Sequence, residues 1–276
     1  MRPALSLPNG PALSVANAVD ASAFLGHWPF RPITGTVAGL TRMMSANGIE
    51  QAVLSPFEGL FYPDPEPANA ALLRQLAGRR DLWAAPILNP VMADWREQLG
   101  ALAGTPRVRA IRLAPTFHSY EVRLCAEVAT AAAQLPRLRR EGLALTIQVR
   151  MEDERHHACI LNLPPASVKE VVAVAAAVPK ARVVVSAARL PEVLEVADQA
   201  KRLDNIWFDI SHFDGLGCIQ RAYRAVGGKR LLFSTSWPFF YARSAVLKVE
   251  EAELAARERG AAFAGNARLA FALPRR

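Results

Sequence analysis

The stretch Ala181-Arg-Val-Val-Val-Ser186 is a short run of β-branched residues, and Pro191 follows it at the start of a helical pattern. Similar runs occur at Gln51-Ala-Val-Leu-Ser-Pro56 and at Arg230-Leu-Leu-Phe-Ser234. Short apolar runs that are bounded by turn residues and separated by helices are typical of parallel strands buried on both faces. The sequence around these runs therefore predicts a parallel sheet built from βα units.

The same alternation of strand and helix extends from these runs over the whole chain. Eight strands are predicted, the first over Ala18–Phe24, and the strand ends fall near Ser22, Ser55, Asn89, Ala114, Arg150, Ser186, Ser211 and Thr235. Helices are predicted over 37–47, 68–79, 94–103, 122–141, 166–178, 191–202, 216–226 and 242–259. Eight consecutive βα units favour a closed barrel over an open sheet. The predicted fold is an α/β (β/α)₈ TIM barrel, a single domain over residues 1–276 with an irregular lead-in over 1–17.

The bulk composition limits the classes of function. Of the 276 residues, 51% are hydrophobic and 21% are charged, so the chain can bury a large core. The net charge is +8, but the basic residues are spread along the sequence, so we expect no nucleic-acid partner. No apolar run reaches the roughly 18 residues of a membrane span, so no membrane partner is expected. Homo-oligomerisation is compatible with this composition.

The three cysteines indicate neither a disulfide framework nor a zinc site. Cys125, Cys159 and Cys218 are far apart in the sequence and form no Cys-x-x-Cys pair. A cytoplasmic protein is expected from this pattern, because reduced thiols are usual there.

The ends of the predicted strands hold several charged side chains. Functional residues of TIM barrels lie at the carboxyl ends of the strands, and four arginines lie near three successive strand ends: Arg112, Arg150, Arg155 and Arg189. A guanidinium offers a planar pair of donors to a carboxylate or phosphate, so a small anion is the predicted partner. The alternative is that these arginines pair with the acidic residues 152–154 and only brace the loops.

Three further side chains near the strand ends can carry protons. His118 lies on the loop after the fourth strand, Asp153 follows the fifth and His212 follows the seventh. A histidine or carboxylate within reach of the reacting atoms can act as a general acid or base. We therefore predict catalytic roles for these three, with a surface position as the alternative for His118.

Three motifs resemble the amidohydrolase-related (amidohydrolase-2) family of the metal-dependent hydrolase superfamily. They are Val19-Asp-Ala-Ser-Ala-Phe-Leu-Gly26 at the first strand, Leu231-Leu-Phe-Ser-Thr-Ser-Trp-Pro238 at the eighth, and Phe263-Ala-Gly-Asn-Ala-Arg-Leu269 near the C-terminus. The resemblance implies the same barrel fold. It also implies a catalytic metal held by histidines of strands 1, 5 and 6 and by an aspartate of strand 8.

The chain departs from this family at the implied metal-ligand positions. The first strand has Ser22 and Phe24 where the family has histidines, and the later strands have Gln148, Ser186 and Ser236. A phenyl ring cannot ligate a metal, and neutral oxygens are poor substitutes for imidazole and carboxylate. We therefore expect no metal and no other cofactor, and we assign Ser22, Gln148 and Ser236 to substrate binding together with the four arginines.

Two hypotheses of different classes follow from these residues. The first is a metal-independent hydrolase or lyase that acts on a small carboxylate by acid–base catalysis. The second is a catalytically inactive barrel that retains a pocket for a small anion. The fold alone does not distinguish them.

Overall fold

A computed structural model describes residues 17–135, 143–153 and 163–274. Its strands are β1 (Ala18–Trp28), β2 (Ile33–Gly35), β3 (Ile49–Pro56), β4 (Leu82–Ala84), β5 (Ala110–Leu113), β6 (Ala144–Gln148), β7 (Arg182–Ser186), β8 (Ile206–Asp209) and β9 (Leu231–Leu232). Strand β2 pairs antiparallel with the end of β1. The other eight are the predicted barrel strands, and β1 runs four residues beyond the predicted Phe24 to Trp28.

The strands form two sheets, in the orders β2-β1-β3-β4 and β5-β6-β7-β8-β9. Backbone contacts join the sheets at both seams. A parallel bridge pairs Ala84 with Val108 beside β5, and the Ala21 N–H of β1 donates to the Phe233 carbonyl just after β9, at 2.9 Å. The predicted (β/α)₈ TIM barrel is confirmed, and its eight strand ends converge on one mouth.

The helices that follow the strands are α1 (Val37–Ala46), α2 (Glu66–Gln75), α3 (Trp95–Gly104), α4 (Leu124–Gln134), α5 (Val168–Ala177), α6 (Leu190–Glu195), α7 (Ala197–Lys201), α8 (Cys218–Val226), α9 (Ala242–Glu250), α10 (Ala256–Gly260) and α11 (Asn266–Ala270). The predictions of single helices over 191–202 and 242–259 were wrong. The first is divided at Val196, and the second is interrupted over 251–255. The end of the predicted helix over 122–141 lies partly outside the described residues. Within the described ranges, no helix combines the length and apolar character needed to cross a bilayer.

Strand β7 shows how the apolar runs become the two layers of the barrel. Val183 and Val185 pack in the large core that also contains helix residues such as Val171 and Val193. Val184 packs in a separate cluster inside the barrel. Because alternate side chains of a strand point to opposite faces, a continuous run of valines covers both layers at once.

Gly26 fixes the bend at the end of β1. Its φ is +101°, and a Cβ at this position would overlap the Glu58 carboxylate. That carboxylate accepts a hydrogen bond from the His27 N–H at 2.8 Å. Only glycine adopts this backbone conformation readily, so both the turn and the hydrogen bond depend on it.

Replacing Gly26 by alanine is expected to lower the free energy of unfolding by about 1–3 kcal/mol, because the new side chain adds strain and displaces Glu58. Gly100→Ala in α3 is the matched control, since a Cβ there meets no atom within 4 Å. That change should raise stability by about 0.5–1 kcal/mol through the helix propensity of alanine. Denaturant unfolding measures both, and equal effects of the two substitutions would contradict the assignment.

Candidate functional site

The guanidinium of Arg112 lies at the centre of the barrel and is fully buried. Its Nε donates to Ser55 Oγ at 2.7 Å and its Nη2 to Ser22 Oγ at 2.9 Å. Its Nη1 donates to Gln148 Oε1 and, at 3.3 Å, to Ser186 Oγ. Arg112 thus links its own strand β5 to β1, β3, β6 and β7. Four of its five N–H groups have partners inside the protein. This geometry does not favour a direct contact between Arg112 and a ligand.

Aromatic side chains fill the barrel mouth above Arg112. The Phe24 ring lies 4.7 Å from the guanidinium carbon and stacks on Phe57 at 5.1 Å. Trp28 contacts the rings of Phe57 and Phe239. A cavity between Trp28 and Phe117 measures about 10 Å³, which is close to the space of one water molecule. Within the described residues, this aromatic cluster therefore closes the axial path towards Arg112.

The side chains at the family's metal positions do not fit zinc or manganese. Ser22, Gln148 and Ser186 supply neutral oxygens that accept hydrogen bonds from Arg112, and Phe24 supplies none. Ser236 is buried, and its backbone N–H donates to the Ser22 carbonyl at 3.0 Å. Among the residues that the structure describes, no three histidine, cysteine or carboxylate side chains gather closely enough to hold a metal ion. Zinc normally requires imidazole, thiolate or carboxylate donors.

A chain of hydrogen bonds leads from this centre to the rim of the barrel. Ser186 Oγ donates to Asp209 Oδ2 at 2.6 Å, and Ser211 Oγ donates to Asp209 Oδ1 at 2.6 Å. Ser211 Oγ also lies 3.0 Å from His212 Nδ1. Because the Ser211 hydroxyl proton is committed to Asp209, its oxygen must accept the proton of His212 Nδ1. With its proton on Nδ1, the His212 imidazole has its lone pair on Nε2.

A cavity of about 650 Å³ opens at the rim, beside the ends of β6, β7 and β8. We call it the rim cavity, and its walls are Asp153, Arg189, Leu190, Pro191, Ser211, His212, Asp214, Phe240, Ser244 and Lys248. It unites three residues that the sequence selects: Asp153, Arg189 and His212. Functional residues of TIM barrels lie at the carboxyl ends of the strands, and we call this the strand-end rule. It predicts these three residues because each follows a barrel strand directly.

Lys248 and Phe240 also line the rim cavity, and the sequence does not indicate them. Lys248 belongs to α9, and its Nζ donates to the Ser211 carbonyl at 3.1 Å. Burial lowers the pKa of Lys248. The Phe240 ring meets the His212 imidazole edge to face, with 5.0 Å between their centres. A helical lysine has no signal that distinguishes it from a surface charge, so only tertiary structure could find it.

The environment of His212 favours its neutral form. Burial lowers the pKa of His212 to about 3, and the positive charges of Arg150, Lys248 and Arg189 act in the same direction. The charge of Asp153 opposes them. His212 Nε2 is shielded from solvent and has no hydrogen-bond partner among the described residues. A buried polar atom usually has a partner, so a ligand or a water molecule is expected at this nitrogen.

His118 is not part of the rim cavity. His118 Nε2 lies 3.0 Å from the Gly59 carbonyl oxygen, and burial lowers the pKa of this histidine. It is not among the side chains that line the rim cavity. The structure therefore does not bring His118 together with Asp153 and His212. Arg155 lies outside the described residues.

Arg150 braces the barrel rim. Its Nη1 donates to Glu192 Oε2 at 2.8 Å and to the Ala187 carbonyl at 3.0 Å, and its Nη2 donates to Glu192 Oε1 at 2.5 Å. The sequence suggested the nearby Asp153 or Glu152 as a partner, but Glu152 is buried and pairs with Arg31 at 2.5 Å. Glu192 is distant in sequence, so the β7–α6 connection decides this pair.

Arg150→Lys is expected to lower the free energy of unfolding by about 1.5–3 kcal/mol, since an ammonium cannot reproduce the paired bonds to Glu192. Affinity for an anion in the rim cavity should change less than about twofold, because the guanidinium is engaged with the protein. Thermal unfolding and anion titration below the melting temperature measure the two quantities. Weaker binding without loss of stability would show that Arg150 contacts the ligand.

The fold is that of a TIM barrel, and several solved structures are similar to it. A 5-carboxyvanillate decarboxylase from Sphingomonas paucimobilis has a TM-score of 0.72 and 13% identity, covering 94% of this chain and 99% of that one. A zinc-bound amidohydrolase from Burkholderia multivorans has a TM-score of 0.67 and 18% identity, covering 94% and 100%. A dihydroxybenzoic acid decarboxylase from Polaromonas, with manganese and 2-nitroresorcinol bound, has a TM-score of 0.68 and 14% identity, covering 95% and 98%.

At these identities the likeness establishes the fold. No protein-family model matches the chain, and no curated protein sequence matches it either. The similar structures share the barrel architecture that the first- and eighth-strand motifs predict.

Proposed function

We propose that this protein is a metal-independent lyase or hydrolase that acts on a small carboxylate bound in the rim cavity. The observation that carries this proposal is His212 Nε2, a buried nitrogen without a partner among the described residues, in the wall of the cavity. The Asp209–Ser211 pair fixes the imidazole in the form that accepts a proton at Nε2. A histidine held in one tautomer by a second group is typical of acid–base catalysis.

The cavity walls support a carboxylate as the ligand. Arg189 and Lys248 supply two positive charges beside the two carboxylates of Asp153 and Asp214, while apolar surface comes from Phe240, Leu190 and Pro191. Positive charge suits a carboxylate, and an aromatic wall suits a flat ring. Two of the similar solved structures are decarboxylases named for aromatic carboxylic acids. We therefore propose small aromatic carboxylates as the substrate class.

Binding of such an anion would prepare His212 for proton transfer. The neighbouring cations Arg150, Lys248 and Arg189 lower the pKa of this imidazole in the free protein. A carboxylate beside them would offset their charge and raise the pKa towards neutrality. In a lyase, His212 would then accept the proton of a substrate hydroxyl and return it to the ring carbon as the bond from that carbon to the carboxylate breaks and carbon dioxide leaves. In a hydrolase, it would accept a proton from the attacking water molecule and return it to the leaving group.

The second candidate is a binding protein without catalytic activity, and the barrel centre favours it. Arg112 and the aromatic cluster around Trp28 fill the space on the barrel axis. A rim cavity next to a closed centre can hold an anion without converting it. The same experiment distinguishes the two candidates.

The test is calorimetric titration of benzoate, 2,6-dihydroxybenzoate and neutral benzamide into protein dialysed against EDTA. We expect binding of the carboxylates and not of benzamide. Lys248→Met should weaken binding about 5- to 100-fold, as the loss of one charge-assisted hydrogen bond predicts. Lys169→Met is the matched control, because Lys169 is an exposed lysine that pairs with Glu195 on the barrel surface.

Release of carbon dioxide from 2,6-dihydroxybenzoate would identify a lyase. Binding without turnover would exclude a lyase acting on this substrate and favour the second candidate. If no carboxylate binds, or if the Lys248 and Lys169 variants behave alike, the rim cavity is not the anion site.

A further inference from the structure

The acceptors around Arg112 are oriented by bonds that they make elsewhere. Ser55 Oγ donates its own proton to the Ala85 carbonyl at 2.6 Å, and Ser186 Oγ donates to Asp209 at 2.6 Å. The Gln148 amide nitrogen donates to the Arg150 carbonyl, which directs Oε1 towards the guanidinium. Since their protons are committed, Ser55 and Ser186 can present only lone pairs to the barrel centre, and Gln148 presents its Oε1. The centre is therefore built to receive a cation.

The carboxyl groups around the barrel centre also favour a cation there. Asp20 and Asp209 are both fully buried, and both attract the guanidinium of Arg112. Asp209 is two hydrogen bonds away from the guanidinium, through Ser186. Burial lowers the pKa of Arg112 to about 10, which still leaves it positively charged at neutral pH. Buried carboxylates without a counter-charge are strongly destabilising.

The shape of the centre selects a planar cation. The Arg112 guanidinium lies over the face of Phe24, at 4.7 Å. A ring face attracts a guanidinium through cation–π contact, whereas it offers no lone pair to a metal ion. Phe24 occupies one of the positions at which the resemblance to metal-dependent hydrolases implies a histidine ligand.

We propose that the Arg112 guanidinium is a built-in replacement for the metal ion, held at the barrel centre by Ser22, Ser55, Gln148 and Ser186. It contacts β1, β6 and β7, which carry Ser22, Gln148 and Ser186 at three of the implied ligand positions, and it supplies positive charge beside Asp209. The site left by removing this side chain should accordingly bind free guanidinium. This inference concerns the barrel centre and does not depend on the proposed substrate of the rim cavity.

The first experiment is chemical rescue of the Arg112→Ala variant, and its readout is the melting temperature. The variant should melt at least about 5 °C below the wild type, as expected for loss of a buried ionic network. Addition of about 20 mM guanidinium chloride should restore a few degrees by ligand binding to the folded state, while the same concentration of sodium chloride should not. Ile111→Ala is the matched control, since Ile111 is a buried residue on β5 whose removal leaves an apolar cavity.

A rescue by guanidinium that is confined to Arg112→Ala supports the proposal. No rescue, or equal rescue of Arg112→Ala and Ile111→Ala, would overturn it. The variant can be refolded from denaturant into buffers with or without the low guanidinium concentration if it does not fold during expression.

The second experiment uses the wild type and does not depend on that variant. Protein purified without chelator is analysed for zinc and manganese, and its melting temperature is measured with EDTA and with each metal added. We expect less than about 0.1 equivalent of metal and shifts below about 1 °C, because the centre is already filled. One equivalent of zinc or manganese that is lost in Gln148→Ala would overturn the proposal.

Discussion

Replacing His212 by alanine is expected to reduce turnover of the proposed carboxylate substrate by about 10²–10⁴-fold, the usual contribution of a general base. The reason is that His212 Nε2 has no hydrogen-bond partner among the described residues. The Asp209–Ser211 pair also holds this imidazole in a defined tautomer in the wall of the rim cavity. Ser211→Ala should cause a smaller loss in the same direction, because Nδ1 then lacks its oriented acceptor. Steady-state kinetics under saturating substrate measure both effects.

His118→Ala is the matched control for this prediction. His118 also has one bonded ring nitrogen, 3.0 Å from the Gly59 carbonyl oxygen, and one buried ring nitrogen without a partner among the described residues, but it does not line the rim cavity. Its removal should change turnover less than about threefold while lowering stability, as expected for a packing residue. The opposite pattern, with activity lost in His118→Ala and retained in His212→Ala, would place the chemistry outside the rim cavity.

The pH dependence of stability should contain two opposing contributions from buried groups. Burial raises the pKa of Asp20 from 3.8 to about 7, so the folded state binds the extra proton between these values and stability falls as pH rises through them. Burial lowers the pKa of His212 from 6.5 to about 3, so the unfolded state binds the extra proton and stability falls as pH decreases through that range. Between about pH 4 and 6.5 the two effects cancel.

Single substitutions should reveal each contribution. In Asp20→Asn the His212 contribution remains, and the free energy of unfolding should rise with pH by about 1 kcal/mol per unit relative to the wild type. In His212→Gln the Asp20 contribution remains, and the free energy should fall with pH by a similar amount. Denaturant unfolding at half-unit steps from pH 4.5 to 6.5 measures the slopes. Parallel curves for both variants and the wild type would contradict the opposing contributions.

The βα alternation determined most of the fold from sequence alone. Runs such as Ala181–Ser186 must be buried on both faces, and eight of them in succession leave a barrel as the simplest arrangement. The pattern was less informative about where helices stop. The interruption over 251–255 within the predicted 242–259 helix is set by packing onto the barrel, which overrides local propensity.

The strand-end rule also selected part of the candidate site. Asp153, Arg189 and His212 follow three successive barrel strands and meet in the rim cavity, because parallel strands bring their carboxyl ends to one mouth. Lys248 joins them from α9, and Glu192 engages Arg150 from α6. These partners depend on how each helix packs against the sheet, which is a property of the whole barrel and not of any local pattern.

The sequence by itself determined that Ser22, Phe24, Gln148 and Ser186 are weak or impossible metal ligands, because ligand strength belongs to the residue type. Only the tertiary structure decided what these side chains do instead. Ser22 and Phe24 share β1, while Gln148 and Ser186 lie on β6 and β7. The length of the Arg112 side chain brings one guanidinium within reach of all four. Hydrogen bonds have a range of about 3 Å and strict directions, so such a partnership exists only once the strands have closed around it.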